Sequence, residues 1–168
     1  MSGIQHNALV DIGAKWLAHG HDGRQMGGCY VGSCGVILKE YVAGRRLEIP
    51  DVIGFASDFS IVIECKVSRA DFLNERKKVH AISGIRGRLG NYRYYFTPDG
   101  LLTMADIPEG WGLLSTTGDK VSVKLPAPHL EDPGIKVAEY ELLYSIIRRI
   151  EIRGLLPKVQ EKLTGGER

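Results

Sequence analysis

The sequence predicts an α/β domain, a mixed β-sheet flanked by helices, and three observations carry that prediction. Residues 60–67 read Ser-Ile-Val-Ile-Glu-Cys-Lys-Val, β-branched and apolar apart from one acid and one base, which is the composition of a central strand. Helical periodicity marks both flanks, over residues 4–18 and from Val137 to about Arg153. Between them, short strand-like runs are separated by Gly, Pro, Asn and Asp turns, a mixture that suits one layered sheet rather than a bundle or a sandwich.

Taken in order, Ile4, Ala8, Ile12, Ala14 and Leu17 can share one helical face, with Leu9 and Trp16 beside it, before Gly20 and Gly23 break the helix. A glycine-rich stretch follows from Gly27 to Gly35. Residues 35–41 read as a strand, Ala43-Gly44-Arg45 as a turn, and Arg46–Phe55 as an extended segment interrupted at Pro50. Ser57-Asp58 turns the chain into the 60–67 strand. Ser68-Arg69-Ala70-Asp71 resembles a capping box and opens a helix to about Ala81. Ser83–Asn91 then reads as a basic, glycine-rich loop. Tyr92–Thr97 alternates, with Tyr92, Tyr94 and Phe96 expected in the core and Arg93 and Tyr95 on the more functional face. Residues 111–115 and 120–125 complete the strands, Pro126–Pro133 is a loop, and Pro157 precedes a short helix.

The 168 residues suit a single domain with its core over about 35–115. Hydrophobic residues at 43% and charged residues at 25% exclude disordered and fibrous classes. The formal charge of +2 implies no partner by itself. Its distribution does: Arg69, Arg76, Lys77, Lys78, Arg86, Arg88 and Arg93 face only Asp71 and Glu75 over residues 69–93. Few cysteines, no apolar leader and no run long enough to span a bilayer point to a cytoplasmic protein without a membrane partner.

The chemistry concentrates at Glu64 and Lys66. Two residues apart on a strand, they point to one face of the sheet. Neighbours as apolar as Ile61, Val62 and Ile63 make an isolated charge there cost several kcal/mol unless it is paired or binds a metal. A hairpin from Pro50 to Lys66 would bring Asp51 beside Glu64. Two carboxylates and a backbone carbonyl form a hard oxygen site that suits magnesium, and a lysine beside them can hold a water or a phosphate charge.

Pro50-Asp51 followed by Glu64-x-Lys66 on the next strand resembles the PD-(D/E)XK nuclease superfamily. Residues 63–72 (Ile-Glu-Cys-Lys-Val-Ser-Arg-Ala-Asp-Phe), 92–98 (Tyr-Arg-Tyr-Tyr-Phe-Thr-Pro) and 110–114 (Gly-Trp-Gly-Leu-Leu) are similar to its MmcB-like DNA-repair branch and related phage proteins. The resemblance implies a restriction-endonuclease-like core that cleaves DNA phosphodiesters with Mg2+, Mn2+ being a substitute, in repair, recombination or phage DNA metabolism. It further implies Asp51, Glu64, the Cys65 carbonyl and an earlier acid as metal ligands, and Lys66 as the catalytic lysine. For the earlier acid Glu40 is preferred over Glu48 and Asp11. Arg69, Lys77, Lys78, Arg86, Arg88 and Arg93 are the candidate DNA contacts. A non-catalytic nucleic-acid-binding or regulatory module on the same fold is the competing reading. A homodimer is compatible with the sequence. His19-x-His21 with Cys29 and Cys34 offers zinc-ligand types at irregular spacing.

Overall fold

Helix α1 (His6–His19) packs on the sheet along Leu9, Val10, Gly13, Trp16 and Leu17, an i, i+4, i+7, i+8 stripe. Gly13 sets the contact: a Cβ there would already lie 3.4 Å from the Phe96 ring and 3.6 Å from Ile63, so the helix axis comes down close to the strands. The stripe is rotated from the expected one. Leu9 and Trp16 are core rather than flank, and Ala8 faces solvent, because the helix turns its smallest residue to the sheet. This description, from a computed structural model, covers residues 5–19, 33–43, 48–74 and 88–161.

The sheet has six strands whose spatial order equals their chain order: β1 (Val36–Lys39), β2 (Val52–Phe55), β3 (Ser60–Cys65), β4 (Tyr92–Pro98), β5 (Gly112–Thr117) and β6 (Lys120–Leu125). Strands β1, β2 and β3 form an antiparallel meander. Strands β3, β4 and β5 run parallel, and β6 returns antiparallel. The β3–β4 crossover contains helix α2, described over 69–74 and opened by Ser68, whose Oγ accepts the Asp71 N–H at 3.1 Å. The β4–β5 crossover carries a 3-10 turn at Met104–Asp106. Gly118, at φ 62°, supplies the left-handed position that the tight β5–β6 turn needs.

Helix α3 (Pro133–Ile152) covers the other face, and a short α4 (Leu156–Gln160) follows it. Helix α3 begins before Val137: Asp132 caps it by accepting the Gly134 N–H, and Pro133 occupies the first turn, where a missing N–H costs nothing. The α1 side of the sheet is filled by Ile61, Ile63, Cys65, Tyr94, Phe96 and Leu114. The opposite side holds Ile53 and Val62 against Ala138 and Leu142 of α3, with Phe72, Tyr95, Leu102 and Leu113 packed alongside.

Strands β3 and β4 are therefore covered on both faces, as parallel strands usually are. This corrects the expectation that Arg93 and Tyr95, on the face opposite Tyr94 and Phe96, are the more functional pair. Tyr95 is 2% exposed, stacked on Trp111 at 4.3 Å and edge-on to Phe72. The extended segment expected from Arg46 narrows to β2; residues 44–47, with the expected Gly44-Arg45 turn, lie outside the described part of the chain. So do the end of the helix expected to reach Ala81 and most of the basic loop after it.

Candidate metal centre

The β1–β2 ladder ends at Lys39 opposite Val52, and the β2–β3 ladder at Val52 opposite Ile63. One residue further, Glu40 stands opposite Asp51 and Asp51 opposite Glu64. The Glu40 N–H donates to the Asp51 carbonyl at 3.0 Å, which fixes the first step of this row. The Cys65 N–H donates to Asp51 Oδ2 at 2.6 Å, which holds the carboxylate against the end of β3. Three carboxylates thus occupy adjacent register positions at the ends of three neighbouring strands, Glu40 and Asp51 just beyond β1 and β2 and Glu64 within β3. Like charges directly across strands repel, so the arrangement favours a bound cation.

Glu40 follows β1 at φ 45°, the one non-glycine residue with positive φ among those described. A left-handed backbone at an ordinary residue costs about 1–2 kcal/mol, and such strain gathers at functional sites. From α1, His6 reaches the same cluster: its Nε2 lies 3.4 Å from Asp51 Oδ1 and 3.8 Å from Glu40 Oε1. One ligand atom from each of His6, Glu40 and Asp51 falls within 4.8 Å of the others, a spacing a single divalent ion can span.

Glu64 and Lys66 lie on the face shared with Val62, whereas Cys65 packs among the α1-side core. The Lys66 ammonium is 3.7 Å from Glu64 Oε2, and its side chain is only 6% exposed. Burial, reinforced by the nearby Asp51 and Glu64 carboxylates, raises the Cys65 thiol far above the usual range, so Cys65 remains a neutral packing group.

The other two acids considered for the site are engaged elsewhere. Asp11 pairs with Lys39 at 2.8 Å on the surface. Glu48, half-buried, binds Arg93 through both oxygens, one contact being 2.9 Å, and also accepts the Leu89 N–H at 2.5 Å. Arg93 additionally donates to the Leu89 carbonyl and lies 4.3 Å over the Trp111 ring. At 4% exposure it is a structural cation, which corrects its expected role as a DNA contact. Arg69 is exposed and held in a two-pronged pair by Asp106, itself fixed by the Thr103 N–H. Arg88 is exposed; Lys77, Lys78 and Arg86 lie outside the described residues.

Of the zinc-type ligands, Cys34 is buried against Gly54, where a Cβ would meet its Sγ at 2.7 Å, and burial pushes its thiol up to about 11. His19 bonds the Lys15 carbonyl at 2.8 Å, and His21 and Cys29 fall outside the described residues. His6 is the residue that sequence reasoning missed. It is the first residue of its helix, and only the docking of α1 across β1–β3 brings it to the acids.

No family model matches this chain, and no curated protein matches it. It is similar to a solved structure, a protein of unknown function from Silicibacter pomeroyi, at 23% identity over 76% of this chain and 84% of that one, with a TM-score of 0.48.

Proposed function

We propose that this protein is a divalent-metal-dependent phosphodiesterase acting on DNA, built on a restriction-endonuclease-like core. The observation that carries the reading is the in-register row Glu40–Asp51–Glu64 at the ends of three strands, with buried Lys66 on one side and His6 on the other. Carboxylate oxygens fit Mg2+ or Mn2+, and an imidazole nitrogen shifts preference toward the transition ion. Asp51, Glu40 and His6, whose ligand atoms lie within 4.8 Å of one another, would hold the ion, with Glu64 and the Cys65 carbonyl as the further ligands that the resemblance implies. When bound, the ion lowers the pKa of its water and polarises a phosphoryl oxygen.

This chain's own residues do the positioning. The Cys65 N–H fixes the Asp51 carboxylate in one orientation. Lys66, held beside Glu64, would orient a phosphate oxygen or an attacking water. The enclosing strands hold these groups rigidly, which keeps the reacting atoms close to their productive geometry. DNA as the substrate, and a place in repair, recombination or phage DNA metabolism, rest on the PD-(D/E)XK resemblance and on the basic segment after β3, of which Arg88 is exposed.

The test is cleavage of single-stranded, duplex, branched and flapped DNA with Mg2+ or Mn2+. Lys66→Ala and Glu64→Gln should each lower the rate by on the order of 10³-fold or more while circular dichroism stays that of the wild type. Variants that cut as fast as the wild type would remove the site assignment. Tight DNA binding with no turnover on any substrate would favour the regulatory-module reading instead.

A further inference from the structure

Helix α3 has two apolar faces. The inner one, Ile135, Ala138 and Leu142, packs on the sheet. It is anchored by Glu139, which accepts from Ser60 Oγ and the Gly90 N–H, and by Arg149, whose guanidinium donates to the Val42 carbonyl at 2.6 Å. On the opposite side Val137, Tyr140, Tyr144 and Ile147 are 61%, 71%, 58% and 53% exposed. Their spacing of 3, 4 and 3 residues is the a/d seam of a helix pair. A helix apolar all round is normally buried all round.

We propose that this outer face is a homodimer interface in which α3 packs antiparallel against α3 of a second copy about a two-fold axis near residues 144 and 145. Charge selects that occupant and that direction. On the exposed part of the N-terminal half, Asp132 and Glu141 outweigh Lys136; on the C-terminal half, Arg148 and Arg153 outweigh Glu151. Antiparallel pairing sets the acidic half of each helix against the basic half of the other and opposes the helix dipoles favourably. The two-fold also relates Lys136 to Arg153, so the attraction rests on the Glu141–Arg148 pair. The axis that carries Val137 onto Ile152 of the second copy, joining two exposed apolar residues, also carries Glu141 onto Arg148. Both charges are exposed and lie on one flank of the stripe, so two-fold symmetry forms that pair twice.

The area is sufficient. The stripe with Leu143 and Ile152 beside it offers on the order of 600–800 Å² (an aromatic side chain alone carries about 150–250 Å²), near the roughly 800 Å² per partner of a standard interface. The inward faces of α3 and the metal cluster take no part, so dimerisation leaves the proposed site open.

Sedimentation equilibrium of the full chain tests this directly. The wild type should be a dimer at micromolar concentration. Tyr144→Glu, at an exposed position, should keep the folded circular dichroism spectrum and raise the dimer Kd by about 100-fold or more. Glu141→Arg and Arg148→Glu should each raise it about tenfold, and the double exchange should restore it to within about threefold. A monomeric wild type would overturn the proposal, whether the stripe is then covered by residues 162–168 or by another protein. A dimer indifferent to Tyr144→Glu would overturn it as well, and a double exchange no better than the singles would overturn the antiparallel register.

Discussion

Glu48 and Asp51 are three residues apart, yet they belong to charged constellations built on opposite principles. Around Glu48 the two charges are paired: both carboxylate oxygens meet Arg93, the Leu89 N–H joins them, and Trp111 covers the guanidinium, whose buried Nε is left without an acceptor. Around Asp51 a ligand atom of Glu40 and one of His6 lie within 4.8 Å, and Glu64 stands in the next register position beside the buried Lys66. The first is closed and balanced; the second gathers like charge at the rim of the sheet. A closed pair adds little net stability but is costly to break. A like-charge cluster lowers stability until a cation joins it. The difference separates a structural ion pair from a candidate reaction centre more sharply than residue type does, since both combine carboxylates with a buried base.

The comparison breaks most visibly at Glu48. Glu48→Ala leaves the Arg93 charge and the Leu89 N–H buried without their acceptor and should cost about 3–5 kcal/mol in urea unfolding, with or without metal. A loss below about 1 kcal/mol would mean that the pair is solvated and the contrast false. Asp51→Asn sharpens the other side. The wild type should gain about 2.7 kcal/mol of stability at a Mn2+ concentration of 100 times Kd, and the variant should lose that gain while its metal-free stability stays level or rises slightly. Isothermal titration and thermal melts with and without Mn2+ read both quantities.

The smallest effect falls at the Arg69–Asp106 strap, which joins the start of α2 to the 3-10 turn. The Arg69 guanidinium first, then the Thr103 N–H and hydroxyl, hold the Asp106 carboxyl well below the usual range. A depressed carboxylate stabilises the fold above its unfolded pKa of about 4 and loses that contribution as pH falls through its folded value. Asp106→Asn should therefore lower stability slightly in the neutral region, flatten the acid limb below about pH 4, and converge on the wild type at the lowest pH. An unaltered acid slope would show that the strap contributes nothing to folding.

The strands were legible wherever composition alone decides. Residues 60–65 could hardly be anything but a buried strand, and the short link from Asp51 made its position opposite Glu64 a matter of hairpin register. Alternation misled at β4, because a strand covered on both sides has no solvent face for Arg93 and Tyr95 to mark. The Glu48–Arg93 pair spans a separation of 45 residues, and no local pattern announces it. His6 was hidden for the same reason: its place beside Asp51 is decided by how closely Gly13 lets α1 approach the strands, a packing result rather than a motif.

Because the sheet is laid down in chain order, the groups of the acidic row and the lysine beside it are complete in the nascent chain once residue 66 has been made, with β4, β5, β6 and α3 still to come. The β2–β3 hairpin closes over four residues and β1 lies close to it in sequence, so the meander can pair early, whereas β4 and β5 must await their crossovers. A chain emerging from the ribosome therefore meets its electrostatic conflict before most of its hydrophobic reward. Divalent cations in the folding medium should speed the appearance of native structure in wild type and leave an Asp51→Asn chain indifferent, so the ion would act in the birth of the fold as well as in its work.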